Sequence, residues 1–258
     1  MSNLFPVYMR ELRSFLLGPI AYMVTVIFLI LSGIFFVLII NDYSSLSFDV
    51  IRSNYQYNAR ELNIGEGILG PFYRIILFLM LLMMPLLTMK SFSEEKKSGT
   101  IELVFTYPIT DLELVLGKVL SIFTIFAAML GFTFLYELVI LFFMPVPIGL
   151  TFSGYFGLLL VGGAFISLGV FISSLTENQV IAGAWTFGMI MVFWMISWLG
   201  GDSTSLLAEL MRSLSIFRHF ESFASGVIDT RDIIYYLSFI FIFVFSTMRV
   251  LESRRYRA

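Results

Sequence analysis

Hydrophobic and polar positions alternate along this chain in long blocks rather than in the short periods of a water-soluble fold. Six uncharged or nearly uncharged runs dominate: 17–40, 72–89, 115–143, 152–175, 180–199 and 233–250. Each is near the roughly 20 residues that cross a hydrocarbon core as an α-helix, which satisfies every backbone N–H and C=O internally. The third run is the longest and has room to tilt or to project into water. Pro85, late in the second, predicts a kink there. Ahead of the first run, Leu4, Tyr8, Leu12 and Phe15 recur every three to four residues, with Arg10 and Arg13 on other faces. This predicts an amphipathic helix over residues 1–16 lying at the membrane interface, ended by Gly18-Pro19. The charges of that segment and the missing small-residue cleavage site argue against a signal peptide.

Composition then fixes the class. Of the 258 residues 59% are hydrophobic and only 13% charged, against about 25% charged in a soluble domain. The expectation is a single all-α integral membrane domain of six transmembrane helices. Spans and short connections use up nearly the whole length, which excludes a large extramembrane enzyme domain. A net charge of −2 gives no reason to expect a nucleic-acid partner. There is no cysteine, so disulfides and thiolate metal sites are excluded. His219 is the single histidine, which rules out a two-histidine metal site from this chain. No phosphate-binding loop exists: Gly117-Lys118 is followed by Val119, and Leu112 stands where the leading glycine belongs. The chain is therefore not an enzyme that hydrolyses ATP by itself.

Six spans put both ends on one side. Ten of the sixteen Lys and Arg residues fall there, including Arg254, Arg255 and Arg257, so the positive-inside rule places both termini in the cytoplasm. Three polar segments remain. Residues 41–70 form an outer loop. Residues 200–232 form a second outer segment in which Leu206, Leu207, Leu210, Leu214 and Phe217 keep helical spacing. That helix either dips into the outer leaflet or packs on the spans. The third segment, 90–114, is cytoplasmic. In it Glu94, Glu95, Lys96 and Lys97 precede a break at Gly99, and Thr100 caps a short helix with Ile101, Val104 and Phe105 on one side of it. Thr110 and Glu113 read as the capping box of the next helix. A short helix between two spans has the shape to dock into a groove on a soluble partner; a solvated hairpin is the plainer reading of the same spacing.

Residues 85–103, PLLTMKSFSEEKKSGTIEL, resemble the P-L-x-T-M-R-x-[FL]-[AS]-E-E-[KR]-x-x-G-T-[IL]-E-L stretch of ABC-2-type (type V exporter-like) permeases, and the likeness continues through Tyr107-Pro108-Ile109-Thr110 and Gly117-Lys118. Within that family the chain is most similar to the gliding-motility permease subunit and the copper-enzyme maturation permeases. The resemblance implies a multi-pass permease subunit of the bacterial inner membrane, working as an ATP-driven exporter. Its coupling helix would be gripped by an ATP-binding subunit through Glu94, Glu95, Gly99, Thr100 and Glu102. It also implies two ATP-binding subunits, which carry the ATP and Mg, and a second copy of the permease or a related one. The 1–16 helix would rest on the ATPase, short re-entrant helices would lie in 200–232, and an outer-side accessory subunit is a further candidate partner. This chain itself would need no cofactor and no metal.

Inside the spans, Glu137 is the one acid well within an apolar run, and with Arg74 as its candidate partner it is a candidate translocation or outer-gate residue. Glu177, Asn178 and Gln179 mark a turn between the fourth and fifth spans. Small residues from Gly157 to Gly169 and from Ala182 to Gly188 predict that the fourth and fifth spans pack within the bundle. Phe28, Phe35, Phe36 and the aromatics of the last span are expected to face lipid or a partner. The alternative function is a membrane anchor or assembly subunit of an outer-side motility or secretion machine.

Overall fold

The computed structural model describes residues 4–53, 63–102, 109–199 and 213–255. Among them the regular elements are helices: α1 (Leu4–Leu17), α2 (Pro19–Ser53), a π-helical turn (Gly65–Leu69) leading into α3 (Gly70–Thr88), α4 (Ser93–Lys97), α5 (Asp111–Phe143), α6 (Ile148–Leu175), α7 (Gln179–Leu199), α8 (Ile216–Ala224) and α9 (Thr230–Arg255). Six of them, α2, α3, α5, α6, α7 and α9, are long and apolar enough to cross a membrane, and each coincides with one of the six runs read from the sequence to within a few residues except at the C-terminal end of α2. We call the end of the bundle that holds α1, α4 and the C-terminal end of α9 the basal end, and the opposite one distal.

Local sequence explains most of the boundaries. Gly18 separates α1 from α2, and Pro19 opens α2 at the position where a missing N–H costs nothing. The capping box of α5 is formed: Thr110 Oγ1 accepts from Glu113 N at 3.3 Å, and Glu113 Oε2 accepts from Thr110 N at 3.0 Å. Asn178 Oδ1 accepts from Val180 N at 2.9 Å, so the turn at 177–179 caps α7. α3 runs through Pro85 and ends at Thr88, whose hydroxyl donates to the Met84 carbonyl at 2.9 Å. α4 stops at Ser98, and Gly99 takes φ +71°, the left-handed geometry that closes helices and suits glycine.

Three expectations are corrected. α2 does not end at residue 40 but continues to Ser53, so the first part of the 41–70 segment is helix rather than loop. The fourth and fifth spans do not behave alike. α6 is the central helix, with 78% of its apolar window buried, whereas α7 is peripheral at 17%. The glycines of α6 explain its place. A Cβ on Gly154 would lie 2.3 Å from the Tyr73 ring, on Gly162 2.0 Å from Phe126, and on Gly169 2.1 Å from Thr88. Their absence lets α3 and α5 close on α6. On α7, Gly188 meets nothing within 4 Å. Finally, Phe28 and Phe36 do not face outward: both are buried, and the Phe36 ring stacks on Tyr136 with centroids 5.4 Å apart.

α8 packs on the spans. Its N-terminal part lies against the middle of α6, with the Phe217 and Phe165 centroids 6.4 Å apart. Its C-terminal part meets the same helix nearer its start, where Ser153 Oγ donates to the Phe223 carbonyl at 3.0 Å. Those α6 contacts are twelve residues apart, roughly 18 Å of helix, so α8 climbs steeply beside α6. Leu206, Leu207 and Leu210 lie outside the described residues.

Candidate functional site

α1 packs along α5 at the basal end. The buried face of α1 carries Val7 and Glu11, offset from the Leu4–Tyr8–Leu12–Phe15 stripe toward a carboxylate. Gly117 makes the approach close, since a Cβ there would lie 2.7 Å from Val7 Cγ1. Tyr8 adds a hydroxyl–hydroxyl contact of 3.0 Å to Thr124. Six residues before Thr124 on α5, the Lys118 side chain is 2% exposed and its Nζ donates to two acids: Glu11 Oε2 at 3.0 Å and Glu95 Oε1 at 2.8 Å. The same ammonium sits 5.0 Å from the centre of the Phe92 ring. Arg10 Nη2 bonds Glu11 Oε1 at 2.7 Å. One cation thus ties together α1, the segment after α3 and the start of α5.

Burial alone would push the Glu11 carboxyl above the ordinary carboxylate value. The Lys118 and Arg10 charges and their hydrogen bonds outweigh it, so the group is held below that value. A buried charge whose partners sit this close is stable only as a complete set, because removing one member strands the others away from water.

The segment carrying Glu95 is also fastened to α6. Ser173 Oγ accepts from Phe92 N at 3.0 Å and from Ser93 N at 3.1 Å, and donates to the Met89 carbonyl at 3.0 Å. Lys96 Nζ donates to the Ser174 carbonyl. With α4 held from two sides, what remains on its outer face is polar. Glu94, Lys97, Gly99, Thr100 and Glu102 are exposed, while Ile101 is buried. Of the five residues read from the motif, four therefore lie at the surface and one, Glu95, turns inward to Lys118. Val104, Phe105 and Pro108 lie outside the described residues.

The distal residues fall into two separate contacts. Glu137 is 2% exposed and accepts a hydrogen bond from the Tyr73 hydroxyl at 2.7 Å. Tyr155 stands beside it, in hydroxyl contact with Thr133 at 3.1 Å. Arg74 does not pair with Glu137. It points the other way from its neighbour Tyr73 and forks onto Glu221 of α8, with Nε 3.1 Å from both carboxylate oxygens. Adjacent residues on a helix lie about 100° apart, which sends Tyr73 inward and Arg74 outward. His219 is a bracing residue between α8 and α9: Nδ1 lies 2.6 Å from Asp232 Oδ1, Nε2 lies 3.1 Å from the Ser213 carbonyl, and the ring stacks on Tyr235.

Sequence reasoning missed Lys118, Glu11 and Ser173 as site residues. Their signal was available in part: a lysine inside an apolar run, and a glutamate four residues after Val7 on one helical face. Ser173 carried none, since a serine near a helix end is ordinary.

A comparison with curated proteins gave no match. A family model described as ABC-2 family transporter protein matches residues 5–251, which takes in α1, all six spans and the tethered segment between α3 and α5, and the chain belongs to this family of membrane transport subunits that work with an ABC ATP-binding subunit.

Proposed function

We propose that the chain is the permease half of an ATP-driven exporter and that α4 with the exposed residues through Glu102 is its coupling element. The observation that carries this is the Lys118 cluster. It makes α1, the α4 segment and the third span one mechanical unit, so a push on the exposed face at Glu94, Gly99, Thr100 and Glu102 moves a span rather than bending a loose loop. Glu95 then acts inside the unit, as the residue that transmits the push to Lys118. Two such chains, or one with a related permease, pair side by side above two ATP-binding subunits, with the basal end in the cytoplasm. ATP-driven closure of the ATPases changes the packing between the permease halves. Glu137 and its hydroxyl partners lie on the opposite side of the bundle, where they serve an outer gate. The motif at 85–103 supports a gliding-motility-like or copper-enzyme-maturation-like exporter, acting at the bacterial inner membrane.

The test is mild-detergent purification of the tagged chain from native membranes, with native mass measurement. The expected result is co-purification of a P-loop ATPase in equal copy number, lost in Glu94→Lys, a change at an exposed residue that leaves the Lys118 cluster intact. Recovery of the chain with outer-side proteins and no ATPase would favour the anchor function instead.

A further inference from the structure

A second feature of the basal end is a pocket of about 290 Å³ where α1 turns into α2, close to the lower size of small-molecule sites. One side of it is polar, with Glu11, Lys90, Ser91, Glu94, Glu95 and Lys118; the other is apolar, with Phe15, Ile20 and Leu86. Its rim continues into exposed apolar residues, Leu16, Leu17, Tyr22 and Met23. An interfacial helix meeting a spanning helix sets this pocket at the level of lipid headgroups.

The polar groups of the lining leave two hydrogen-bonding positions unmet. Lys118 is shared between Glu11 and Glu95, and Lys90 lies 3.7 Å from Glu94. Three carboxylates thus line the pocket with two ammonium groups, and Arg10 beside it adds a third cation, with Nη2 2.7 Å from Glu11 Oε1 and 3.9 Å from Glu95 Oε1. The second oxygen of Glu95 and the Ser91 hydroxyl, both buried, have no hydrogen-bond partner among the described residues, and Ser91 is 4% exposed. Buried polar atoms without partners are rare in folded proteins. The unmet group is an acidic acceptor beside a hydroxyl, and the group that completes it is a cation with N–H donors.

We propose that this pocket binds the headgroup of a zwitterionic aminophospholipid. The primary ammonium occupies the free acceptor of Glu95, the phosphodiester lies toward Lys90 and Ser91, and the acyl chains leave over Phe15, Ile20 and Leu86. A choline headgroup has no N–H to donate, and a glycerol headgroup brings no cation, so neither completes the site. The lipid would complete the polar cluster that joins α1 to α4.

The test uses the full chain, delipidated in detergent and titrated with dioleoyl phosphatidylethanolamine, phosphatidylcholine or phosphatidylglycerol, with retained lipid counted by native mass spectrometry. We expect one ethanolamine lipid per chain, retained at least tenfold better than either of the others. Glu95→Gln removes that preference. Because Glu95 also bonds Lys118, the decisive variant is Ser14→Trp, which fills the mouth of the pocket from an exposed position; it should melt like the parent in detergent and lose the preference. Equal retention of the three lipids, or an unchanged preference in Ser14→Trp, overturns the proposal. Glycerophosphoethanolamine competing as well as the lipid would overturn the membrane source, since the rim would then add nothing.

Discussion

Two buried polar centres of this bundle, one at each end, solve one problem in opposite ways. At the basal end Lys118 is closed in by two carboxylates from distant segments. At the distal end Glu137 is closed in by hydroxyls, with Tyr73 donating and Tyr155 and Thr133 beside it, and no cation forms an ion pair with it among the described residues. The basal centre is therefore a joint between elements that holds only when its charges are present together. The distal centre is a packed network among α3, α5 and α6, where shape and hydrogen bonding carry the contact. This difference matches the coupling and outer-gate roles proposed for the two ends.

The sharpest way to break the comparison is Lys118→Met. It leaves Glu11 and Glu95 facing each other in a partly dry site, and the expected loss is roughly 3 kcal/mol, the lower end for breaking a buried pair, seen as a large drop in melting temperature in detergent. Next is Ser173→Ala, which strips the acceptor from two backbone N–H groups. A loss of about 1–3 kcal/mol is expected, with faster proteolysis in the 90–102 segment. A matched pair sharpens the contrast: Glu11→Gln and Glu137→Gln. The first removes a required charge and should cost about 1.5–3 kcal/mol, as for hydrogen bonds to charged groups. In the second an amide oxygen still accepts from Tyr73, so the cost should stay below about 1 kcal/mol; equal costs would erase the distinction between the two centres.

Acid tests the same point. Because the folded-state value of Glu11 is depressed, its contribution is fully present above the ordinary carboxylate range and is lost as pH falls through the lowered value. Melting temperature should hold from neutral pH down to the carboxylate range and then fall, and Glu11→Gln should flatten that fall. The smallest effect is expected for Arg74→Gln. Its pair with Glu221 is half exposed on both sides, which limits the change to about 0–1 kcal/mol.

What was legible beforehand was local. The sequence alone determined six apolar helices long enough to span, the N-terminal helix, the break at Gly18-Pro19, the capping box at Thr110 and Glu113 and the turn at Gly99, because each depends on residues a few positions apart. It did not determine which spans are central. α6 and α7 are both apolar all round and both rich in small residues, so neither composition nor periodicity points a face toward the bundle. Only the tertiary structure decided that α6 receives Tyr73, Phe126 and Thr88 against its glycines while α7 stays outside. It also decided that Lys118 reaches Glu11 and Glu95, that Arg74 turns to Glu221, and that Glu95 points inward from an exposed motif. These are pairings across up to 147 residues, fixed by how the helices are rotated and stacked, and no spacing along the chain records that rotation.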